Sequence, residues 1–223
     1  MKTLPKKMGL YFIIDGMYTR AFEKYTQMAI RNDVSIIQYR DKNASLQSMK
    51  DNARKMQRLT AKSSTCFIVN DIPQVALFFD AGGIHVGQSD ENFLEIRKRI
   101  PNKIIGVSTM TIEESIEAEK LGADYLGVGP IFVTQTKPDT PPPIGLTNLK
   151  KIVDNTTIPI VAIGGINANN LESILETGVH GVAIISAILT ATDPEKEIQK
   201  IQNIIKEYNA KWGKHARTPF TTF

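Results

Sequence analysis

The sequence predicts an α/β protein, a single (β/α)8 barrel, on three observations. Short apolar runs at residues 10–14, 34–39, 66–69, 83–86, 104–107, 125–128, 158–163 and 181–185 alternate with amphipathic stretches. Most runs are β-branched and closed by polar residues or glycine, as expected of strands buried on both faces. The helix-to-strand junctions Asp80-Ala81-Gly82-Gly83, Gly122-Ala123-Asp124-Tyr125 and Thr177-Gly178-Val179-His180-Gly181 resemble one another, and Gly just after each helix suits a left-handed cap. The length of 223 residues matches one such barrel, which commonly takes about 200–250 residues. A doubly wound open sheet would place a Gly-rich fingerprint after the first strand. There the chain reads Asp15-Gly16-Met17, and its Gly pair comes late, at Gly164-Gly165.

Composition bounds the function. With 42% hydrophobic and 22% charged residues, the balance is that of a globular chain and excludes disorder or a coiled coil. One Cys excludes a disulfide framework and a multi-thiolate metal site. His85, His180 and His215 lie too far apart for zinc-ligand spacing. Lys+Arg of 27 against Asp+Glu of 23 gives a net charge of +4, but these residues are spread along the chain without interleaved aromatics, so no nucleic-acid partner is expected. The basic start is followed by an apolar run that stops at Asp15, too short for a signal peptide, and no run reaches the roughly 18 residues of a membrane span. The expectation is a cytoplasmic protein with no membrane partner and an oligomeric state the sequence does not define. Residues 1–209 form the barrel and 210–223 a tail.

Helices are expected at 45–62, 91–99, 111–121, 169–177 and 194–208. In the third, Ile112, Ile116 and residues 118–121 share one face while Glu113, Glu114 and Glu117 lie outside, near a 3.6 period.

In such a barrel the reacting groups sit at the carboxyl ends of the strands and in the loops that follow. The second strand ends in Gln38-Tyr39-Arg40-Asp41-Lys42, and period-two alternation puts Gln38, Arg40 and Lys42 on one face. Ile37 and Tyr39 suit the helix-facing side. Two cations and an amide directed inward call for an anionic ligand, because unpaired buried charge is expensive. The third strand ends in Asn70-Asp71 and the fourth in Gly87-Gln88-Ser89-Asp90. Asp71 and Asp90 on adjacent strands suggest Mg²⁺, which typically takes one or two carboxylates, waters and substrate phosphates; Asp90 could instead cap the helix that follows. Ser108, at the end of the fifth strand, is equally a cap, a turn residue or a ligand contact. After the sixth strand runs the loop 130–143, whose Thr134, Gln135, Thr136 and Lys137 gather donors beneath a stretch of prolines, as a lid over an anionic substrate would. Gly164-Gly165 after the seventh strand and Ile185-Ser186 after the eighth stand where such barrels build a phosphate cradle. His85 reads as a packed or inward-facing core residue and Cys66 as a small hydrophobe.

These motifs, in this order, resemble the thiamine-phosphate synthase family over about residues 10–208. The resemblance rests on Gln38-Tyr39-Arg40-Asp41-Lys42, Asn70-Asp71, Gly87-Gln88-Ser89-Asp90, Gly106-Val107-Ser108-Thr109, Gly127-Val128-Gly129-Pro130-Ile131-Phe132, Thr134-Gln135-Thr136-Lys137 and Gly164-Gly165-Ile166. It implies a transferase that joins an aminomethylpyrimidine diphosphate to a carboxylated methylthiazole phosphate and releases diphosphate. Gln38, Tyr39, Arg40, Asp41, Lys42, Asn70, Ser108 and Lys137 would then serve the pyrimidine substrate and its diphosphate, with Arg40, Lys42, Ser108 and Lys137 in catalysis. Asp71 and Asp90 would hold Mg²⁺. Thr134, Gln135, Thr136, Gly165, Ile185 and Ser186 would bind the thiazole phosphate. Met110, Ile72, Tyr39 and Asp41 depart from the family's usual His, Arg, Leu and Glu, which bears on the pocket more than on the reaction. A thiazole tautomerase of the same fold lacks most of the diphosphate and metal set. A non-catalytic barrel that binds a phosphorylated ligand is the remaining alternative.

Overall fold

The computed structural model describes residues 4–5, 8–87, 93–134, 136 and 141–212. Strands and helices alternate as β1 (Gly9–Asp15), α1 (Phe22–Arg31), β2 (Ile36–Arg40), α2 (Leu46–Thr60), β3 (Cys66–Asn70), α3 (Pro73–Phe78), β4 (Gly83–Val86), α4 (Phe93–Arg99), β5 (Ile104–Thr109), α5 (Ile112–Lys120), β6 (Tyr125–Val128), α6 (Gly145–Asn155), β7 (Ile160–Ile163), α7 (Leu171–Leu175), β8 (Gly181–Ile184), α8 (Ser186–Leu189) and α9 (Pro194–Trp212). Each strand pairs in parallel with the next, and β8 pairs with β1, with Gly9 opposite Gly181, so the sheet closes in chain order. The expected (β/α)8 barrel is what forms.

Each apolar run became a strand because both its faces are covered. In β1, Tyr11 and Ile13 line the barrel cavity, while Leu10, Phe12 and Ile14 are wholly buried on the alternate positions. The Phe12 ring meets Tyr25 of α1 at 6.2 Å between centroids. Helix starts follow local capping chemistry. The Ser45 hydroxyl accepts from the Ser48 N–H at 3.2 Å at the start of α2. Thr111 and Glu114 form a reciprocal capping box at α5.

The structure corrects two boundaries. Helix α9 runs on to Trp212, four residues past its expected end at 208, with its apolar stripe at Ile198, Ile201 and Ile205 buried. The remainder of the expected tail, residues 213–223, lies outside the described residues. At the junctions, Gly122 and Gly178 take the left-handed conformation as expected (φ 92° and 88°), but at the first junction Asp80 takes it instead of Gly82 (φ 49°). Asp tolerates this region through its short polar side chain. Gly82 serves closeness: a Cβ there would lie 2.9 Å from Cys66 Sγ. Among the described residues, no helix is long and apolar enough to cross a membrane.

Three phenols are held in this interior. Burial pushes Tyr39 up to about 12 and raises Tyr11 and Tyr125 well above the ordinary value for a phenol. The folded chain therefore keeps protons that the unfolded chain releases above pH ~10, so this contribution is intact below that pH and is lost as pH rises through the folded values. Urea unfolding should show a lower midpoint at about pH 11 than at about pH 9, and an equal midpoint would contradict the burial of these hydroxyls.

Candidate active site

The carboxyl ends of the strands open into one cavity of about 410 Å³. Its first wall comes from β1 to β3. Gln38 and Arg40, two apart on β2, both face inward, and Lys42 continues the line as alternation predicts. The Gln38 amide donates from Nε2 to Asn70 Oδ1 at 2.7 Å. Arg40 is ion-paired through Nη1 with Asp15 Oδ2, and the two residues stand opposite each other in the β1–β2 register. Asp15 Oδ1 in turn accepts from the Met17 N–H at 2.9 Å. Lys42 Nζ lies 3.0 Å from Asp71 Oδ2. Asp71 has a left-handed backbone (φ 60°), and its N–H donates to the His85 carbonyl at 2.9 Å, which sets its carboxylate at the rim.

Asp15 was not singled out from the sequence, and it changes the electrostatic argument. The inward cations do not stand unpaired awaiting an anion: Asp15 already offsets Arg40, and Asp71 offsets Lys42. A ligand competes for donors that are held in place. The signal was present, since Asp15 ends the first strand in the same position that Asn70-Asp71 ends the third.

Tyr39 and Asp41 do not line the large cavity; they line a small neighbouring pocket together with Lys42, Asn70 and Asp71. Strand alternation sends the Tyr39 ring outward against Phe22 of α1, 4.9 Å between centroids, where its hydroxyl accepts from Asn52 Nδ2 at 3.4 Å. Asp41 is buried and ion-paired with Arg20. A Cβ on Gly16 would lie 2.3 Å from the Asp41 carboxyl carbon, so Gly16 leaves the space that this carboxylate fills.

The opposite wall comes from the loops after β6, β7 and β8. The Thr134 hydroxyl donates to Thr136 Oγ1 at 3.1 Å, and the Thr136 hydroxyl reaches Ser186 Oγ at 3.4 Å. Gly164 and Gly165 are left-handed (φ 101° and 67°), and a Cβ at Gly165 would lie 2.6 Å from the Val133 carbonyl oxygen. No other residue type fits that approach. Ile185 and Ser186 complete the cradle. The helices behind it have five and four residues, so the helix field expected there is weak and the local N–H and hydroxyl groups carry the polarity.

Ser108 lines the cavity from β5 and is hydrogen-bonded to His85 Nε2 at 2.9 Å; capping of the next helix falls to Thr111. His85, read from the sequence as packed or inward-facing, faces inward: it lines the cavity and meets the Tyr125 hydroxyl through Nδ1 at 2.9 Å. Asp90, Gln135 and Lys137 lie outside the described residues. Among the described residues, no three His, Cys, Asp or Glu side chains gather as a metal site. The rim carboxylate of Asp71 beside an ammonium nevertheless suits Mg²⁺, which takes few protein ligands and completes its shell with phosphate and water.

A carboxyl-rim cavity with cation–carboxylate pairs on one side and a Gly–hydroxyl cradle on the other defines a (β/α)8 barrel enzyme built for a ligand polar at both ends. Comparison with known proteins gives the family. The family model for thiamine monophosphate synthase matches residues 10–188. The thiamine-phosphate synthase of Archaeoglobus fulgidus is 40% identical over 210 residues, 94% of this chain and 99% of that protein. That of Pyrococcus furiosus is 42% identical over 205 residues, 92% and 98% of the two. The solved thiamine phosphate pyrophosphorylase of Pyrococcus furiosus aligns with a TM-score of 0.85 at 37% identity, covering 92% of this chain and 99% of that one. The chain belongs to the thiamine monophosphate synthase family, and it is an enzyme, a transferase of thiamine biosynthesis.

Proposed function

We propose that this protein joins 4-amino-2-methyl-5-(diphosphooxymethyl)pyrimidine to carboxylated 4-methyl-5-(phosphooxyethyl)thiazole. The products are thiamine monophosphate and diphosphate; thiamine monophosphate lacks the thiazole carboxyl, so CO₂ leaves as well. The observation that carries the reading is the pair of opposed anion-facing walls in one cavity, a match to two phosphorylated partners that must meet end to end.

In this reading Gln38 and Asn70 hold the aminopyrimidine, with their mutual hydrogen bond fixing which amide atoms face the ring. Arg40 and Lys42, joined by Lys137, stabilise charge on the departing diphosphate, and Ser108 donates a further hydrogen bond to it. Fixed donors aimed at developing charge are the largest catalytic contribution in many enzymes. Asp71 and Asp90 would hold Mg²⁺, which supplies Lewis-acid withdrawal of charge from the leaving diphosphate. The amino group lets the pyrimidine delocalise positive charge from its methylene carbon, so no protein nucleophile is needed. Thr134, Gln135, Thr136, Gly165, Ile185 and Ser186 hold the thiazole phosphate and so aim the thiazole nitrogen at that carbon. Closure of the Thr134–Pro143 loop would keep water from capturing the cation.

Purified protein given both substrates and Mg²⁺ should release diphosphate in step with thiamine monophosphate, and a chelator should abolish release. Ligand uptake without diphosphate would mark a binding protein. Turnover undiminished by chelation would remove the metal from the mechanism.

A further inference from the structure

Asn170 stands just before α7, the position from which an Asn ordinarily caps the first N–H groups of its own helix. Here its side chain makes no such bond. It reaches back into the loop after β7 instead. Nδ2 donates to the Gly165 carbonyl at 2.9 Å, and Oδ1 accepts from the Asn167 N–H at 2.9 Å. Gly165 and Ile166 line the cavity, whereas Asn170 does not.

The Gly165 carbonyl and the Ile166 N–H share one peptide plane and, in a trans peptide, point opposite ways. Drawing that carbonyl back to Asn170 turns the Ile166 N–H toward the cavity. The preceding peptide is fixed by the main chain, because the Gly164 carbonyl accepts from the Phe132 N–H at 3.1 Å. The next one has no such support. Among the described residues no main-chain N–H reaches the Gly165 carbonyl, and the Ile166 N–H has no acceptor. A hold is needed there, since Gly165 is left-handed (φ 67°) and glycine, lacking a Cβ, resists a peptide flip least. The direction decides the electrostatics: main-chain N–H groups attract an anion, and a carbonyl oxygen turned the same way repels it.

We propose that Asn170 is a positioning residue for the phosphate of the thiazole substrate. It pins the Gly165–Ile166 peptide so that the carbonyl is kept off the anion and the Ile166 N–H faces it. The identity of that ligand rests on the synthase reading; the orientation of the peptide does not.

Two measurements test this. Protein labelled with ¹³C-carbonyl glycine and ¹⁵N-isoleucine gives paired signals only from Gly–Ile peptides, of which the chain has two, Gly83–Ile84 and Gly165–Ile166. The second is identified by its loss in Ile166→Val. Inorganic phosphate should move the Ile166 amide proton downfield. Asn170→Ala should require roughly 10- to 100-fold more phosphate for the same movement, the range for one hydrogen bond to a charged group. Asn170→Ser should behave like Asn170→Ala, although Ser is as good a helix cap as Asn, because its side chain is too short to reach Gly165. In turnover assays both variants should raise KM for the thiazole phosphate by a similar factor and leave KM for the pyrimidine diphosphate within about twofold of the parent. An Ile166 amide unmoved by phosphate in the parent would overturn the proposal. So would Asn170→Ser matching the parent, or the two KM values rising together. A parent that makes no thiamine monophosphate would sink the functional reading and leave the amide titration to decide the part of Asn170. Should Asn170→Ala fail to fold, Asn170→Ser carries both measurements.

Discussion

Asp15→Ala should cost about 3–5 kcal/mol of folding stability, because it leaves Arg40 as a buried charge without its partner. The Arg40 and Asp15 side chains are 9% and 2% exposed. Little solvent reaches them to replace the lost carboxylate, and the Met17 N–H loses its acceptor as well. Urea unfolding measures the change. A loss below about 1 kcal/mol, the range for exposed pairs, would show that Arg40 does not depend on Asp15. The double replacement Asp15→Asn with Arg40→Met should return much of the stability, since a buried ion pair is often no better than a neutral one of similar volume. Turnover should not return with it, because the guanidinium proposed to face diphosphate is gone. Stability and activity part company in that variant, and this separates the structural work of Asp15 from the chemical work of Arg40.

Asp71→Asn should lower turnover roughly 100-fold or more, the scale for losing a preorganised group that answers transition-state charge, and should raise the Mg²⁺ concentration needed for half-maximal rate. Asn accepts the left-handed backbone at this position, so the loop should survive. The thermal midpoint should hardly move, because the Lys42–Asp71 pair is partly solvated, with side chains 53% and 20% exposed, and pairs of that kind contribute about 0–1 kcal/mol. Turnover within about threefold of the parent at low Mg²⁺ would remove Asp71 from the machinery.

The strands were legible because a strand covered on both faces must be apolar throughout, and residues 83–86 and 125–128 match β4 and β6 residue for residue. Helices α1, α3, α6 and α8 were not among those anticipated; α3 and α8, with six and four residues, are too short to show a 3.6 period. Gln38, Arg40 and Lys42 were legible from alternation alone. Tyr39 and Asp41, on the alternate positions, face the small pocket that Lys42, Asn70 and Asp71 share. Asp15 was not singled out, and His85 was placed inward without a role, for a common reason. A single Asp before Gly reads as a turn and a lone His in an apolar run reads as core, and what makes each consequential is a residue on another strand: Arg40 for one, Ser108 and Tyr125 for the other.

The pairing of β8 with β1 has a bearing on biogenesis. The wall from β1 to β3 is written in the first 71 residues and the Gly–hydroxyl cradle lies far downstream, at Thr134, Gly164, Gly165 and Ser186, and the barrel closes only once β8 has been translated. A nascent chain halted before Gly181 would leave the backbone groups of β1 and β7 exposed as bare edges. Competence for chemistry therefore arrives only with the final strand, and any truncation there removes the whole pocket at once.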